Sequence, residues 1–147
     1  MKKQGAIEKT GGVKIKHLSL RIKKMDNKIS YESLLSIILP KEIFTYFDVL
    51  KIDVLENAIH VYVDEKNILP YGMPKKDYHT KGFHPESIVQ DFPLRDKPVF
   101  IHVRRRKWQN IKTMEIVSNT FKLTSKGTRY SSEFASFLKG IIGYLPD

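Results

Sequence analysis

The chain has 147 residues, no cysteine, 26 Lys+Arg against 16 Asp+Glu and a formal charge of +10. Without cysteine there is no disulfide, no thiolate nucleophile and no cysteine-based zinc site. No apolar run is long enough to cross a bilayer and the N-terminus is too polar for a signal peptide, so a cytoplasmic protein without membrane association is expected.

Residues 1–28 carry nine Lys/Arg against Glu8 and Asp26, a balance of +7, and read as a basic flexible arm broken by Gly11-Gly12. Residues 29–147 are expected to form a single α+β domain. Within it, residues 29–74 hold three basic and seven acidic side chains, a balance of −4, whereas 75–112 hold ten basic and four acidic, a balance of +6. Such asymmetry favours a polyanionic partner met by particular surfaces.

Structure is expected to begin at Ser30, an N-cap, with Tyr31, Leu34, Leu35 and Ile38 at helical spacing and Pro40 as the stop. A second short helix is predicted from Lys41 to about Phe47, with Ile43, Phe44 and Phe47 inward. The period then changes to two. Ile52 and Val54, then Ile59, Val61 and Val63, predict a hairpin turning at Glu56-Asn57, where Asn57 tolerates a left-handed conformation. Residues 66–85, punctuated by Pro70, Gly72, Pro74, Gly82 and Pro85, read as a long irregular loop.

Order resumes at "SIVQDF", turns through "PLRDK" and enters the strand "VFIHVRRRKWQN". A loop of about six residues and a partner strand from about Glu115 to Leu123 follow. A last helix starts near Ser131, with Phe134, Phe137, Leu138, Ile141 and Ile142 as one apolar stripe and Pro146 as its end. Terminal helices enclosing antiparallel hairpins give the α+β class, with a small sheet and a C-terminal amphipathic helix.

The end of the basic strand is the feature that needs a partner. Alternation puts Phe100, His102, Arg104, Arg106 and Trp108 on one side and Val99, Ile101, Val103, Arg105 and Lys107 on the other. Four successive cations repel one another, and the closest acid in the sequence is Glu115, across the loop. A phosphate backbone relieves that repulsion, arginine forks match phosphate or guanine bidentately, and an indole stacks on a base or buttresses the run. Lys126 and Arg129, before the last helix, extend the expected footprint, where free backbone N–H groups also meet phosphate.

Two stretches, "QDFPLRDKPVFIHVRRRKW" and "VSNTFKLTSKGTRYSSEFASFLKGI", together resemble the N-terminal region of bacterial insertion-sequence transposases of the ISAon type, common in Bacteroidetes. They are more distantly similar to transposases carrying a cysteine zinc finger at this place. Asp91-Phe92-Pro93, Arg105-Arg106, Trp108, Phe121, Arg129-Tyr130-Ser131 and the last helix match in order, over roughly residues 29–143. The chain departs where zinc-binding relatives have cysteines, since Gln109–Met114 and Ser118–Thr120 contain none. The resemblance therefore implies a finger-like hairpin held by packing without metal, a role in recognising transposon ends, and cutting left to a carboxylate-triad domain elsewhere.

Nothing in the chain predicts catalysis of its own. Asp48, Asp53, Asp64, Glu65 and Asp91 read as strand-surface charges or turn formers, and His17, His60, His79, His84 and His102 are dispersed. No glycine-rich phosphate loop, serine elbow or dinucleotide fingerprint is present. The expectation is thus a DNA-binding accessory region of a transposase, without cofactor, metal or small-molecule substrate. Its partner is double-stranded DNA of the transposon terminal repeats, contacted by Arg104, Arg105, Arg106, Lys107, Trp108, Lys126 and Arg129. A rival reading is a protein-interaction module, in which helix 131–143 pairs with the catalytic transposase subunit or a second copy. A third is single-strand or RNA binding through Trp108, Tyr71 and Tyr78.

Overall fold

The structure is a computed structural model that describes residues 30–142; the predicted basic arm at 1–28 lies outside the described residues. The chain divides after Leu39 into two units. In the first, helix α1 (Tyr31–Ile38) starts where the sequence places it, with the Ser33 N–H donating to the Ser30 hydroxyl at 3.0 Å and Glu32 in the first turn.

The second unit opens with the short helix α2 (Lys41–Tyr46) and passes directly into strand β1 (Phe47–Val54). Phe47 therefore begins the strand instead of closing the helix, and is buried with Ile43. Strand β2 (Ile59–Glu65) pairs antiparallel with β1, as the alternation predicts. The connecting turn is closed by Leu55 N–H to Ala58 C=O at 2.8 Å, and Asn57 is not among the residues with positive φ.

The supposed loop 66–85 is partly ordered. A single 3-10 turn (Lys75–Asp77) leads into strand β3 (Tyr78–Phe83), whose register shifts between Thr80 and Phe83 around Gly82, at φ 81°. That bulge breaks the alternation by which a strand is recognised in sequence. Strand β4 (Ser87–Leu94) turns through Arg95 and Asp96, both at positive φ (51° and 64°), into β5 (Lys97–Arg104). Two consecutive left-handed residues make the two-residue hairpin connection whose twist matches its strands.

After Arg105 the chain leaves this sheet and forms β6 (Arg106–Asn110), the short β7 (Ile116–Val117) and, past an irregular stretch, helix α3 (Ser132–Ile142). The partner strand expected to reach Leu123 is thus only two residues long.

The fold is α+β, with a four-stranded sheet in the order β1-β2-β5-β4 and a three-stranded sheet in the order β3-β6-β7. The first joins two antiparallel hairpins through a parallel β2–β5 pairing, in register from Ile59 opposite Val99 to Asp64 opposite Arg104. Its inward face carries Val61, Val63, Val89, Val99, Ile101 and Val103, all buried, each contributing roughly 2 kcal/mol of apolar transfer free energy. In α3 the Ser131 hydroxyl accepts from the Phe134 N–H at 3.2 Å, confirming the predicted start. Only Phe134 and Ala135 of that helix are buried, while Phe137, Ile141 and Ile142 remain exposed.

Candidate nucleic-acid interface

The four consecutive cations 104–107 straddle the junction between the two sheets, and alternation gives them different surroundings. Arg104 stands opposite Asp64 in the parallel pairing and forms a fork on it, Nε to Oδ1 at 2.7 Å and Nη2 to Oδ2 at 2.6 Å. The hydrogen bonds and charge of Asp64 raise the Arg104 pKa further. Arg106 donates from Nε and Nη2 to the Glu65 carbonyl at 3.2 and 3.0 Å. Both guanidinium groups also lie over the Phe83 ring, 4.8 Å (Arg104) and 4.6 Å (Arg106) from its centre. Their acid neighbours are thus Asp64 and Glu65, brought by a pairing between segments 40 residues apart, and not Glu115.

Glu65 holds this junction together. It is 1% exposed, and its carboxylate accepts from the Arg106 backbone N–H at 2.8 Å and from Asn119 Nδ2 at 2.7 Å. The sequence reading made Glu65 a surface charge, yet it continues the inward series Ile59, Val61, Val63, and that alternation is the signal for its burial. Asp91 repeats the lesson, because it follows Val89 on the inward face of β4 and is 5% exposed. The Ser131 hydroxyl donates to its Oδ1 at 2.7 Å, and burial raises its pKa more than this bond and the Phe92 N–H lower it. Two further backbone bonds, Gln90 N–H to Arg129 C=O and Ser131 N–H to Gln90 C=O, both 2.8 Å, tie β4 to the segment before α3.

Trp108 is 5% exposed, so it buttresses the hairpin and is closed to an external base. This leaves four of the expected contact residues. The side chains of Arg105, Lys107, Lys126 and Arg129 have no hydrogen bond or ion pair among the described residues. Arg105 and Arg129 line one open cleft of about 520 Å³, with Glu86, Ile88, Phe121, Leu123 and Thr128 among its other walls. Arg105 and Lys107 both act on His84, whose pKa is lowered first by burial and then by these two cations. Lys126 is exposed on the turn closed by Thr128 N–H to Ser125 C=O at 3.1 Å, with Gly127 at φ 76°. The N-terminus of α3, expected to offer free N–H groups, is capped there by Ser131.

The dispersed histidines are not all isolated. His60 Nδ1 lies 2.8 Å from His102 Nε2, and His102 Nδ1 lies 2.7 Å from Glu86 Oε1, in a chain across the half-exposed sheet face. His84 Nε2 lies 2.6 Å from Ser118 Oγ. No cluster of three or more His, Asp or Glu suited to a metal occurs among the described residues. No helix among them is long and apolar enough to cross a membrane.

Compared with known proteins, the chain matches no family model, no curated protein and no solved structure.

Proposed function

We propose that the chain is a double-stranded DNA-binding region, and that it recognises the ends of a mobile element as the N-terminal part of a transposase. In this reading the carboxylate triad that cuts DNA belongs to another domain or subunit, and the protein acts in the bacterial cytoplasm. The observation that carries the proposal is the division of the basic run. Arg104 and Arg106 are used inside the molecule, whereas Arg105, Lys107, Lys126 and Arg129 carry charge with no internal acceptor among the described residues. Arg105 and Lys107, unpaired at a half-buried strand end, carry a desolvation cost that phosphate oxygens offset with short, charge-assisted bonds.

The experiment is titration of labelled element-end duplex against a scrambled duplex over a range of salt concentrations. Tighter binding to the element end and a steep salt dependence support the reading. No affinity for either duplex at low salt removes it.

A second reading has an observation of its own. On α3, Phe137 and Ile141 fall on one stripe and are 47% and 65% exposed, with Ile142 beside them. That stripe suits pairing with the catalytic subunit or a second copy. Sedimentation at several salt concentrations tests it, since apolar pairing persists as salt rises and a monomer at all concentrations excludes self-association.

A further inference from the structure

The cleft shared by Arg105 and Arg129 is much larger than a phosphate group requires, at about 520 Å³. That volume falls in the range of pockets that hold organic ligands. Its cationic part consists of two guanidinium groups contributed by separate segments, the β5–β6 junction and the turn before α3, and Ser87, Thr124 and Thr128 add neutral polar groups. One carboxylate, Glu86, also lines the cleft, but its Oε1 is already 2.7 Å from His102 Nδ1. The apolar part of the wall is formed chiefly by Ile88, Phe121 and Leu123.

An inorganic anion would satisfy the arginines and leave the apolar wall wet. A purely apolar ligand would cover that wall and leave two cations desolvated. A nucleotide meets both demands, with oxygens for the arginine forks and a planar base for the aliphatic and aromatic surface. Bases within a duplex are stacked and cannot enter without unpairing, whereas a nucleotide in a single-stranded extension is already free to do so.

We propose that this cleft takes an unpaired nucleotide at a DNA strand end, its phosphate held by Arg105 and Arg129 and its base laid against Ile88, Phe121 and Leu123. The inference rests on the duplex-binding reading above and adds to it a preference for ends that carry a single-stranded extension.

The test compares one hairpin duplex in blunt form and with a three-nucleotide overhang, binding being followed by fluorescence anisotropy on the full chain. The overhang is expected to tighten binding about tenfold, the scale of one stacked base. Leu123→Trp, which fills the cleft without removing charge, is expected to bring the overhang-to-blunt ratio to about one. Ile88→Trp repeats the test from another wall should the first variant fold poorly. Lys126→Ala lies outside the cleft and should weaken both forms while keeping the ratio.

A parallel NMR titration uses a nucleoside monophosphate, the matching nucleoside and inorganic phosphate, with amide shifts at Ile88, Leu123 and Thr124 expected from the monophosphate alone. Equal affinity for blunt and overhang duplexes overturns the proposal while leaving duplex binding in place. Shifts from the monophosphate without an overhang preference also overturn it, and assign the cleft to a free nucleotide. Overhang binding with no blunt binding would instead uphold the cleft and defeat the duplex reading.

Discussion

Arg104 and Arg106 differ from Arg105 and Lys107 in what they touch, although all four are consecutive. The first pair faces the Phe83 ring and the end of β2, where Asp64 and the Glu65 carbonyl take their hydrogen bonds. The charges of the second pair both act on His84, and Arg105 also opens onto the cleft of Arg129. A run of cations is therefore not one functional unit. Strand alternation sorts it into residues that build the sheet junction and residues left with charge to offer, and only the second kind needs an outside partner.

The largest expected effect comes from breaking the structural half. Glu65→Ala removes the acceptor of the part-buried Arg106 N–H and one of the two acceptors of Asn119 Nδ2, which keeps the Ile68 carbonyl, and should destabilise the fold by about 3 kcal/mol. On a domain of this size that is a fall of about 10 °C in Tm, read by thermal melting, and an unchanged Tm would deny Glu65 its role. Asp91 tests the other end of the sheet. Asp91→Ala leaves the Ser131 hydroxyl without its acceptor and should cost about 1–2 kcal/mol.

Asp91→Asn keeps an acceptor and removes a buried charge, so it should be at least as stable as the wild type at pH 7. The sign follows from the raised pKa of Asp91. The folded state holds this proton more tightly than the unfolded chain, so the wild type loses stability as pH rises from about 3.8 through the folded value. Denaturant melts across that range should show the loss in the wild type and not in Asp91→Asn.

Asp64→Asn sharpens the comparison from the opposite side, because it frees Arg104. The salt dependence of DNA binding should steepen by up to about 0.9 log unit per log unit of salt, one added phosphate contact. An unchanged slope would mean that Arg104 is out of reach of DNA whether or not it is paired.

The smallest effect is a proton linkage at His84. Arg105 and Lys107 help hold its pKa below the ordinary 6.5, so neutralising them with phosphate should raise it. DNA binding then takes up protons, and affinity should increase as pH falls through the bound-state pKa of His84. NMR titration of His84 with and without duplex reads this directly, and a pKa that does not rise on binding would place the phosphates elsewhere. In the free protein the same depression means that protonating His84 opposes folding, so acidification below about 6.5 costs stability.

Much of the fold was legible because local rules decided it. Ser30 caps its helix as expected, the last helix starts beside Ser131, Pro40 separates α1 from α2, and β1 and β2 pair as the alternation predicts, apart from a register shift between Val49 and Lys51. What escaped has physical reasons. The bulge at Gly82 hid β3, and the parallel β2–β5 pairing joins segments whose contact no local pattern reveals. The expected contact set suffered from that second omission, since Asp64 and Glu65 reach the basic run only through it. Arg104 and Arg106 share the Phe83 side, but Arg104, although exposed, is tied to Asp64, Arg106 is tied to the Glu65 carbonyl, and Trp108 is buried. Extending the inward series to Glu65 and Asp91 would have exposed both buried acids, and His60 with His102 would have followed from knowing the strand order.

The most direct test is a pair of double variants, Arg105→Ala/Lys107→Ala and Arg104→Ala/Arg106→Ala, each titrated with element-end duplex at several salt concentrations and each melted thermally. The first should lose about 1.8 log units of salt slope, two phosphate contacts, with Tm nearly unchanged. The second should lower Tm and leave the slope close to that of the wild type. The reverse pattern, with slope lost from Arg104 and Arg106 and none from Arg105 and Lys107, would contradict the division on which this account stands.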